Sequence, residues 1–162
     1  MLQAAVAGLL GQTVPVERVT VVTDGDATAA AGLPDDPRLR IVPNAGPPGA
    51  PGARNTGLAL ATAEWLVFHD DDDLWDERYS EVIGAACERA DPDVVAVFPG
   101  FRVGVPGRPA RAVRVPPADP SEDDLLERNL VGPCTFVACR RRAVAALGGF
   151  DPALPGAQDW DL

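Results

Sequence analysis

The sequence has few of the residues that would support a disulfide framework, a zinc site or a nucleic-acid surface. Its three cysteines, Cys87, Cys134 and Cys139, are an odd number without Cys-x-x-Cys spacing, which indicates neither disulfides nor zinc. The 14 basic residues are scattered among 24 acidic ones, and the formal net charge of -10 argues against nucleic acid as the main partner. A nucleotide is still compatible with this charge, because a divalent cation can bridge carboxylates and phosphates.

Long apolar runs are also absent. No segment approaches the roughly 20 residues that a membrane span needs. The apolar opening MLQAAVAGLLGQTVP follows no basic residue and is interrupted by Gln3 and Gly8, so we interpret it as an amphipathic helix and not as a signal sequence. The length of 162 residues and the 46% of hydrophobic residues predict one globular domain. The free thiols favour a cytoplasmic location.

Strand-like and helix-like segments alternate along the chain. The strand-like runs are RVTVV, LRIV, WLVF and DVVAVF, and helical patterns lie between most of them. This alternation predicts an α/β domain with a mixed, mostly parallel sheet flanked by helices. Near the C-terminus, the serine of SEDDLLERN is followed three residues later by an acid, which predicts a capped short helix.

Two acidic turns follow strand-like runs, TDGD after Val22 and HDDDD after Phe68. Ligands gather at the carboxyl ends of parallel strands, so both turns are expected at the same edge of the sheet. An acidic run is usually solvated surface, and that interpretation stays open. In an extended chain, however, Asp70 and Asp72 would share one face. Their carboxylates could then bind Mg²⁺ or Mn²⁺ with positions open for a diphosphate.

Three segments together resemble a known family. VTVVTDGDAT, PGARNTGLALATAEWLVFHDDDDLW and LGGFDPALPGAQDWDL occur in the order and at about the spacing of the family 2 glycosyltransferases of the GT-A fold. The resemblance implies a Rossmann-like domain that moves a sugar from a nucleotide-diphosphate donor to an acceptor hydroxyl with inversion. It also implies a divalent cation, Mn²⁺ or Mg²⁺, as cofactor. The acceptor could be a saccharide, a lipid-linked sugar or a small molecule.

The resemblance assigns nucleotide-side roles to four residues. Asp24 matches the second aspartate of the family's first acidic turn and would hydrogen-bond the nucleotide base, while Thr23 replaces the first aspartate. Arg54 and Asn55 match an Arg-Asn pair beside the nucleotide pocket. Asp71 would lie on the ribose or phosphate side of the donor.

The resemblance also assigns the metal ligands and the catalytic base. Asp70 and Asp72 match the two ends of an Asp-x-Asp metal signature, and Asp72 is the better candidate for direct metal contact. Asp159 matches the carboxylate that takes the proton from the acceptor hydroxyl. Gln158 stands where the family more often has glutamate, so the local charge is lower than usual.

Other residues give weaker evidence of a functional role. His69 is interpreted as a partly buried histidine bonded to its neighbours, although it could be a ligand. Trp75 could line a sugar pocket, but packing alone would also explain it. The basic segment CRRR is interpreted as the start of a surface helix. Contact with a phosphate is the less favoured alternative.

The sequence departs from the family pattern at both ends. The family begins with a strand that ends in a Pro-Thr-Tyr-Asn-like turn, whereas Met1 already lies in the helix that should follow this strand. We therefore expect residues 1–162 to form a partial GT-A domain whose first strand is missing. The alternative function is a catalytically inactive GT-A remnant that acts as a nucleotide-binding, metal-binding or protein-interaction module.

Overall fold

A computed structural model describes residues 1–25, 27–104, 108, 111–117, 121–127, 129–130, 132–154 and 156. The helices within these ranges are α1 (Leu2–Leu10), α2 (Ala50–Leu60), α3 (Tyr79–Arg89), α4 (Glu122–Glu127) and α5 (Arg141–Ala146), with short 3-10 helices at Ala27–Ala30 and Cys134–Phe136. The strands are β1 (Val19–Thr23), β2 (Leu39–Pro43), β3 (Trp65–Val67), β4 (Ala96–Val97), β5 (Phe101–Val103), β6 (Ala112–Arg114) and β7 (Ala138–Arg140). The predicted α/β class is confirmed. In the described part of the chain, the helices are too short or too polar to span a bilayer.

The described strands form three small sheets of mixed direction. β1 and β2 pair in parallel, from Val19 opposite Leu39 to Thr23 opposite Pro43. β7 lies between β3 and β4 and runs antiparallel to both, while β5 and β6 form an antiparallel hairpin. Parallel pairing among the described residues is thus confined to β1 and β2, where a mostly parallel sheet was expected. The difference arises because β7 returns from a distant part of the chain, which local periodicity does not indicate.

In the part of the chain that the structure describes, every strand except β7 has an open edge, and those of β1 and β3 adjoin the two acidic turns. Within the described ranges, β1 pairs only with β2, and β3 pairs only with β7. An open edge presents unpaired backbone N–H and C=O groups that can accept another strand. The expectation that a strand belongs beside β1, and the interpretation of the whole chain as one partial domain, stay predictions.

The core of the described structure contains two apolar clusters. One consists of Phe68, Cys134, Val144 and Phe150, with Leu58, Leu66 and Cys139 packed around it. The other consists of Tyr79, Ile83, Cys87 and Ala138 and packs α3 against β7. In the first cluster the rings of Phe68 and Phe150 meet edge to face, with centroids 4.7 Å apart. Phe68 lies two residues before Asp70, the first of the four acids, so this cluster fixes the chain just ahead of them.

The CRRR segment hydrogen-bonds two neighbouring loops from the end of β7. Arg140 is the last residue of β7 and is buried. Arg141 donates from Nε to the Ala63 carbonyl at 3.2 Å, and Arg142 donates to the Pro92 carbonyl at 2.9 Å. The interpretation of the whole segment as a surface helix start is wrong for Arg140, because the strand extends through it and α5 begins only at Arg141.

Candidate active site

The four consecutive acids form a tight turn after β3. The Asp73 N–H donates to the Asp70 carbonyl oxygen at 3.2 Å, so Asp71 and Asp72 occupy the tip of a four-residue turn. Both tip residues are exposed, whereas Asp70 and Asp73 are half-buried. Alternate side chains point the same way only while the backbone stays extended, and here the chain turns at Asp71 and Asp72. That Asp70 and Asp72 together bind a cation stays a prediction.

Asp70 forms an ion pair with a residue of α2. Arg54 donates from a terminal guanidinium nitrogen to Asp70 Oδ1 at 2.7 Å, and the two side chains are only 12% and 35% exposed. The Arg54 guanidinium carbon also lies 5.3 Å from the centroid of the Phe150 ring. The structure thus brings together two residues that the resemblance places at the metal and at the nucleotide. Part of the negative charge of the turn is balanced by Arg54.

Asp73, which the sequence did not single out, is half-buried at the end of the turn. Burial raises the pKa of its carboxyl, and the neighbouring charges of Asp72 and Asp70 raise it further, while a hydrogen bond from Thr135 opposes them. No sequence signal separates Asp73 from its three identical neighbours. Its distinct environment comes from Thr135, which lies far away in the sequence.

His69 lies beneath the acid turn. The prediction that it is partly buried is confirmed, and its ring meets Trp75 edge to face with centroids 5.3 Å apart. Burial lowers the pKa of the imidazole, and a hydrogen bond with the Asp70 backbone opposes this shift. Its Nε2 atom is buried and has no hydrogen-bond partner among the described residues. The His69 ring therefore packs against Trp75 and leaves Nε2 without a partner in the described part of the chain.

Asp24, in the other acidic turn, holds the loop that leads into α2. Asn44 donates from Nδ2 to Asp24 Oδ1 at 2.9 Å, and the Gly49 N–H donates to Asp24 Oδ2 at 2.5 Å. The same loop is tight at Gly52, where an added Cβ would lie 1.8 Å from the Pro47 carbonyl oxygen. Asp24 thus organises the Pro- and Gly-rich segment, and its proposed contact with a nucleotide base stays a prediction.

Acidification is expected to release this loop. The hydrogen bonds from Asn44 and then Gly49 hold the pKa of Asp24 below its ordinary value of 3.8. Because the folded pKa is lowered, these bonds stabilise the loop above pH 3.8 and are lost as the pH falls through the folded value. The amide resonance of Gly49, followed by NMR, should therefore titrate with a midpoint below 3.8, and Asp24→Asn should abolish this step. A midpoint at or above the ordinary value would contradict the contact.

Asn55 links α2 to the Gly-Gly-Phe segment. It donates from Nδ2 to the Phe150 carbonyl at 2.8 Å and accepts the Phe150 N–H at Oδ1 at 2.9 Å. A Cβ at Gly149 would lie 2.4 Å from Asn55 Oδ1, so only glycine allows this approach. The structure gives Asn55 a backbone-fixing role, and its place beside a nucleotide pocket stays a prediction.

A groove of about 440 Å³ adjoins the acid turn. Its lining includes the apolar and aromatic side chains of Leu74, Trp75, Tyr79, Val82, Phe101 and Phe136. Trp75 stacks on Tyr79 with ring centroids 3.9 Å apart, so packing accounts for one face of its ring. Both interpretations of Trp75, as a packing residue and as a groove residue, describe the observed geometry.

The protein side chains that the structure describes near the acid turn offer few donors for a metal ion. In the described ranges, no three histidine, cysteine, aspartate or glutamate side chains converge to hold a metal ion by themselves. Mg²⁺ is commonly bound through one or two carboxylates together with substrate phosphates and water. The exposed carboxylates of Asp71 and Asp72 fit this type of site, in which the diphosphate supplies further oxygens. The predicted base, Asp159, lies outside the described residues.

Comparison with known proteins gives one family. The family described as "Glycosyl transferase family 2" matches residues 1–148. An uncharacterized glycosyltransferase of Haemophilus influenzae is 24% identical over 126 residues, which cover 76% of this chain and 42% of that protein. The pre-mycofactocin glycosyltransferase of Mycobacterium tuberculosis is 31% identical over 159 residues, covering 90% of this chain and 33% of that protein. The chain thus spans less than half the length of these relatives.

A solved structure has a similar fold. The crystal structure of S. aureus TarS 1-349 matches with a TM-score of 0.67 and 21% sequence identity. The match covers 98% of this chain and 49% of that one. At this identity the similarity concerns the fold alone.

Proposed function

Because the chain belongs to glycosyl transferase family 2 and has the GT-A fold, we propose that it takes part in moving a sugar from a nucleotide-diphosphate donor to an acceptor hydroxyl. The observation that carries this proposal is the acid turn, which presents two exposed carboxylates at the carboxyl end of β3. Surface acids without a binding role would not need Arg54 and Thr135 to hold the turn together. A cytoplasmic location is part of the proposal, since the cysteines are free.

The four acids divide into two pairs with different roles. Asp70 is held by Arg54 and Thr135, and Asp73 donates its N–H to the Asp70 carbonyl, so these two residues fix the shape of the turn. Asp71 and Asp72 face solvent and are available to a cation and to the donor. A bound Mg²⁺ or Mn²⁺ would neutralise charge on the departing diphosphate.

The acceptor side of the reaction is assigned to Asp159. Its carboxylate would take the proton of the acceptor hydroxyl as the acceptor oxygen bonds to the anomeric carbon and the bond to the diphosphate breaks. A single displacement of this kind inverts the anomeric carbon and leaves no covalent enzyme intermediate. The groove beside Trp75 would take part of the acceptor.

Asp72→Asn is expected to weaken metal-dependent binding of UDP or GDP at least about tenfold, since one charged oxygen donor is lost while the side chain keeps its shape. Calorimetry with each nucleotide, in Mn²⁺ and in EDTA, measures the change. The matched control is Asp35→Asn, which removes the same charge from an exposed loop ahead of β2. Equal affinity in EDTA, or an equal loss in the control, would remove the metal assignment.

The open edges of β1 and β3 favour the second candidate, a non-catalytic module that pairs with another polypeptide segment. Such a module would bind the nucleotide with Mn²⁺ and give no sugar transfer even with Asp159 intact. Assaying binding and transfer on the same preparation of the full-length protein separates the two functions.

A further inference from the structure

One buried residue, Thr135, hydrogen-bonds the start of the acid turn and the tryptophan that follows it. Its side chain and backbone are 0% exposed, and its Oγ1 accepts the Asp70 N–H at 3.2 Å. The same hydroxyl lowers the pKa of the half-buried Asp73 carboxyl, against the effect of burial. A threonine hydroxyl can do both, because it accepts through a lone pair and donates through its own hydrogen.

The backbone of Thr135 holds the residues that follow the turn. Its carbonyl oxygen accepts the indole N–H of Trp75 at 2.9 Å. Thr135 lies in the 3-10 helix Cys134–Phe136, which leads into β7, the strand paired with β3. The strand that precedes the acids and the residue that anchors them therefore belong to one hydrogen-bonded unit.

The hydrogen bonds of Thr135 act against the electrostatic repulsion among the four adjacent carboxylates. Removing the hydroxyl would leave the Asp70 N–H without its acceptor, and unpaired buried polar groups are costly. The turn would then shift or open. Among the described contacts, the carboxylates of Asp71 and Asp72 have no hydrogen bond or ion pair of this kind. The backbone of the turn therefore sets where these carboxylates lie.

We infer that Thr135 is a positioning residue that fixes Asp71 and Asp72 for binding the metal and the diphosphate donor. The inference rests on the proposed function. It adds a residue 65 positions from Asp70 in the sequence to the determinants of the donor site.

Thr135→Val and Thr135→Ser test this role in the full chain, because valine has nearly the same shape without the hydroxyl and serine restores the hydroxyl without the methyl group. Two quantities are measured: hydrogen exchange of the amides of residues 69–73 in metal-free protein, and affinity for UDP with Mn²⁺. With valine, exchange should rise about tenfold and affinity fall about tenfold, while serine should stay close to the wild type.

Trp75→Phe is the second variant, because it removes the N–H donated to Thr135 and keeps an aromatic ring. It should raise exchange in the same amides by a smaller factor, so the inference stays testable if the valine variant does not fold. Wild-type exchange and affinity in the folded valine variant, or equal losses in valine and serine, would overturn the inference. Absence of UDP binding by the wild type would instead overturn the proposed function, and the exchange measurement would still decide whether Thr135 holds the turn.

Discussion

Replacement of Asp159 by asparagine is expected to reduce sugar transfer by roughly two to four powers of ten, the range that a positioned general base contributes. Asparagine is close in size to aspartate but cannot accept the acceptor proton. Affinity for Mn²⁺ and nucleotide should stay nearly unchanged, because the carboxylates assigned to that step are Asp71 and Asp72. Turnover measured with saturating donor, together with calorimetry for UDP and GDP, gives the two quantities.

Asp161→Asn is the matched control, since it removes the same charge two residues away. Normal turnover in Asp159→Asn with a large loss in Asp161→Asn would move the base to Asp161. The comparison with Asp72→Asn adds an independent check, because that variant should lose nucleotide affinity, whereas Asp159→Asn should lose turnover. A loss of both quantities in both variants would mean that the two carboxylates do not act in separate steps.

Elements with strong local signals could be predicted from the sequence. The amphipathic pattern from Leu2 to Leu10 forms α1, and the β-branched run before TDGD forms β1. The serine-to-acid spacing in SEDDLLERN also predicts the start of α4: Ser121 Oγ accepts the Asp124 N–H at 3.2 Å, and the Ser121 N–H donates back to Asp124 at 3.3 Å. Each of these features depends on residues within one or two turns of the chain.

Sheet pairing could not be predicted in the same way. β7 pairs with β3 across more than 70 residues of sequence, with Trp65 opposite Arg140, and it is antiparallel. An apolar run has the same pattern in a parallel and in an antiparallel sheet, so the direction depends on the path of the chain between strands. Among the strands that the structure describes, the prediction of parallel direction therefore held only for β1 and β2, which a loop and a 3-10 helix connect.

The position of the acid turn could be predicted, but the roles of its acids could not. The run HDDDD follows a strand-like segment, and this order along the chain is enough to predict where the turn lies. Which carboxylates are tied and which are free depends on Arg54, 16 residues before Asp70, and on Thr135, 65 residues after it. These contacts exist only once α2 and the Cys134–Phe136 segment pack around the end of β3.

Arg140 shows the same dependence on distant contacts, and it carries the largest expected stability effect. It is 5% exposed and donates from Nε to the Val94 carbonyl at 2.6 Å and from a terminal nitrogen to the Asp91 carbonyl at 3.2 Å. Its guanidinium lies 4.4 Å from the Trp65 ring centroid and also pairs with the Glu64 carboxylate. Arg140 therefore joins β7 to β3 and to the loop before β4.

Arg140→Met is expected to lower the free energy of unfolding by about 3 to 5 kcal/mol. Methionine fills much of the same space, but two carbonyl oxygens lose hydrogen bonds from a charged donor, each worth about 1.5 to 3 kcal/mol, and the contact with Trp65 loses its cation. Urea denaturation followed by tryptophan fluorescence measures the change, provided that the dependence on urea concentration keeps the same slope.

Glu64→Gln and Arg142→Met are the matched controls for this effect. The Glu64 side chain is 70% exposed, so losing its charge should cost no more than about 1 kcal/mol, as for other surface ion pairs. Arg142 is exposed and donates to one carbonyl, so its loss should cost about 1 kcal/mol. If Glu64→Gln destabilised the protein as much as Arg140→Met, the ion pair would be the dominant interaction. The backbone carbonyls of residues 91 and 94 would then not be what keeps this arginine in the core.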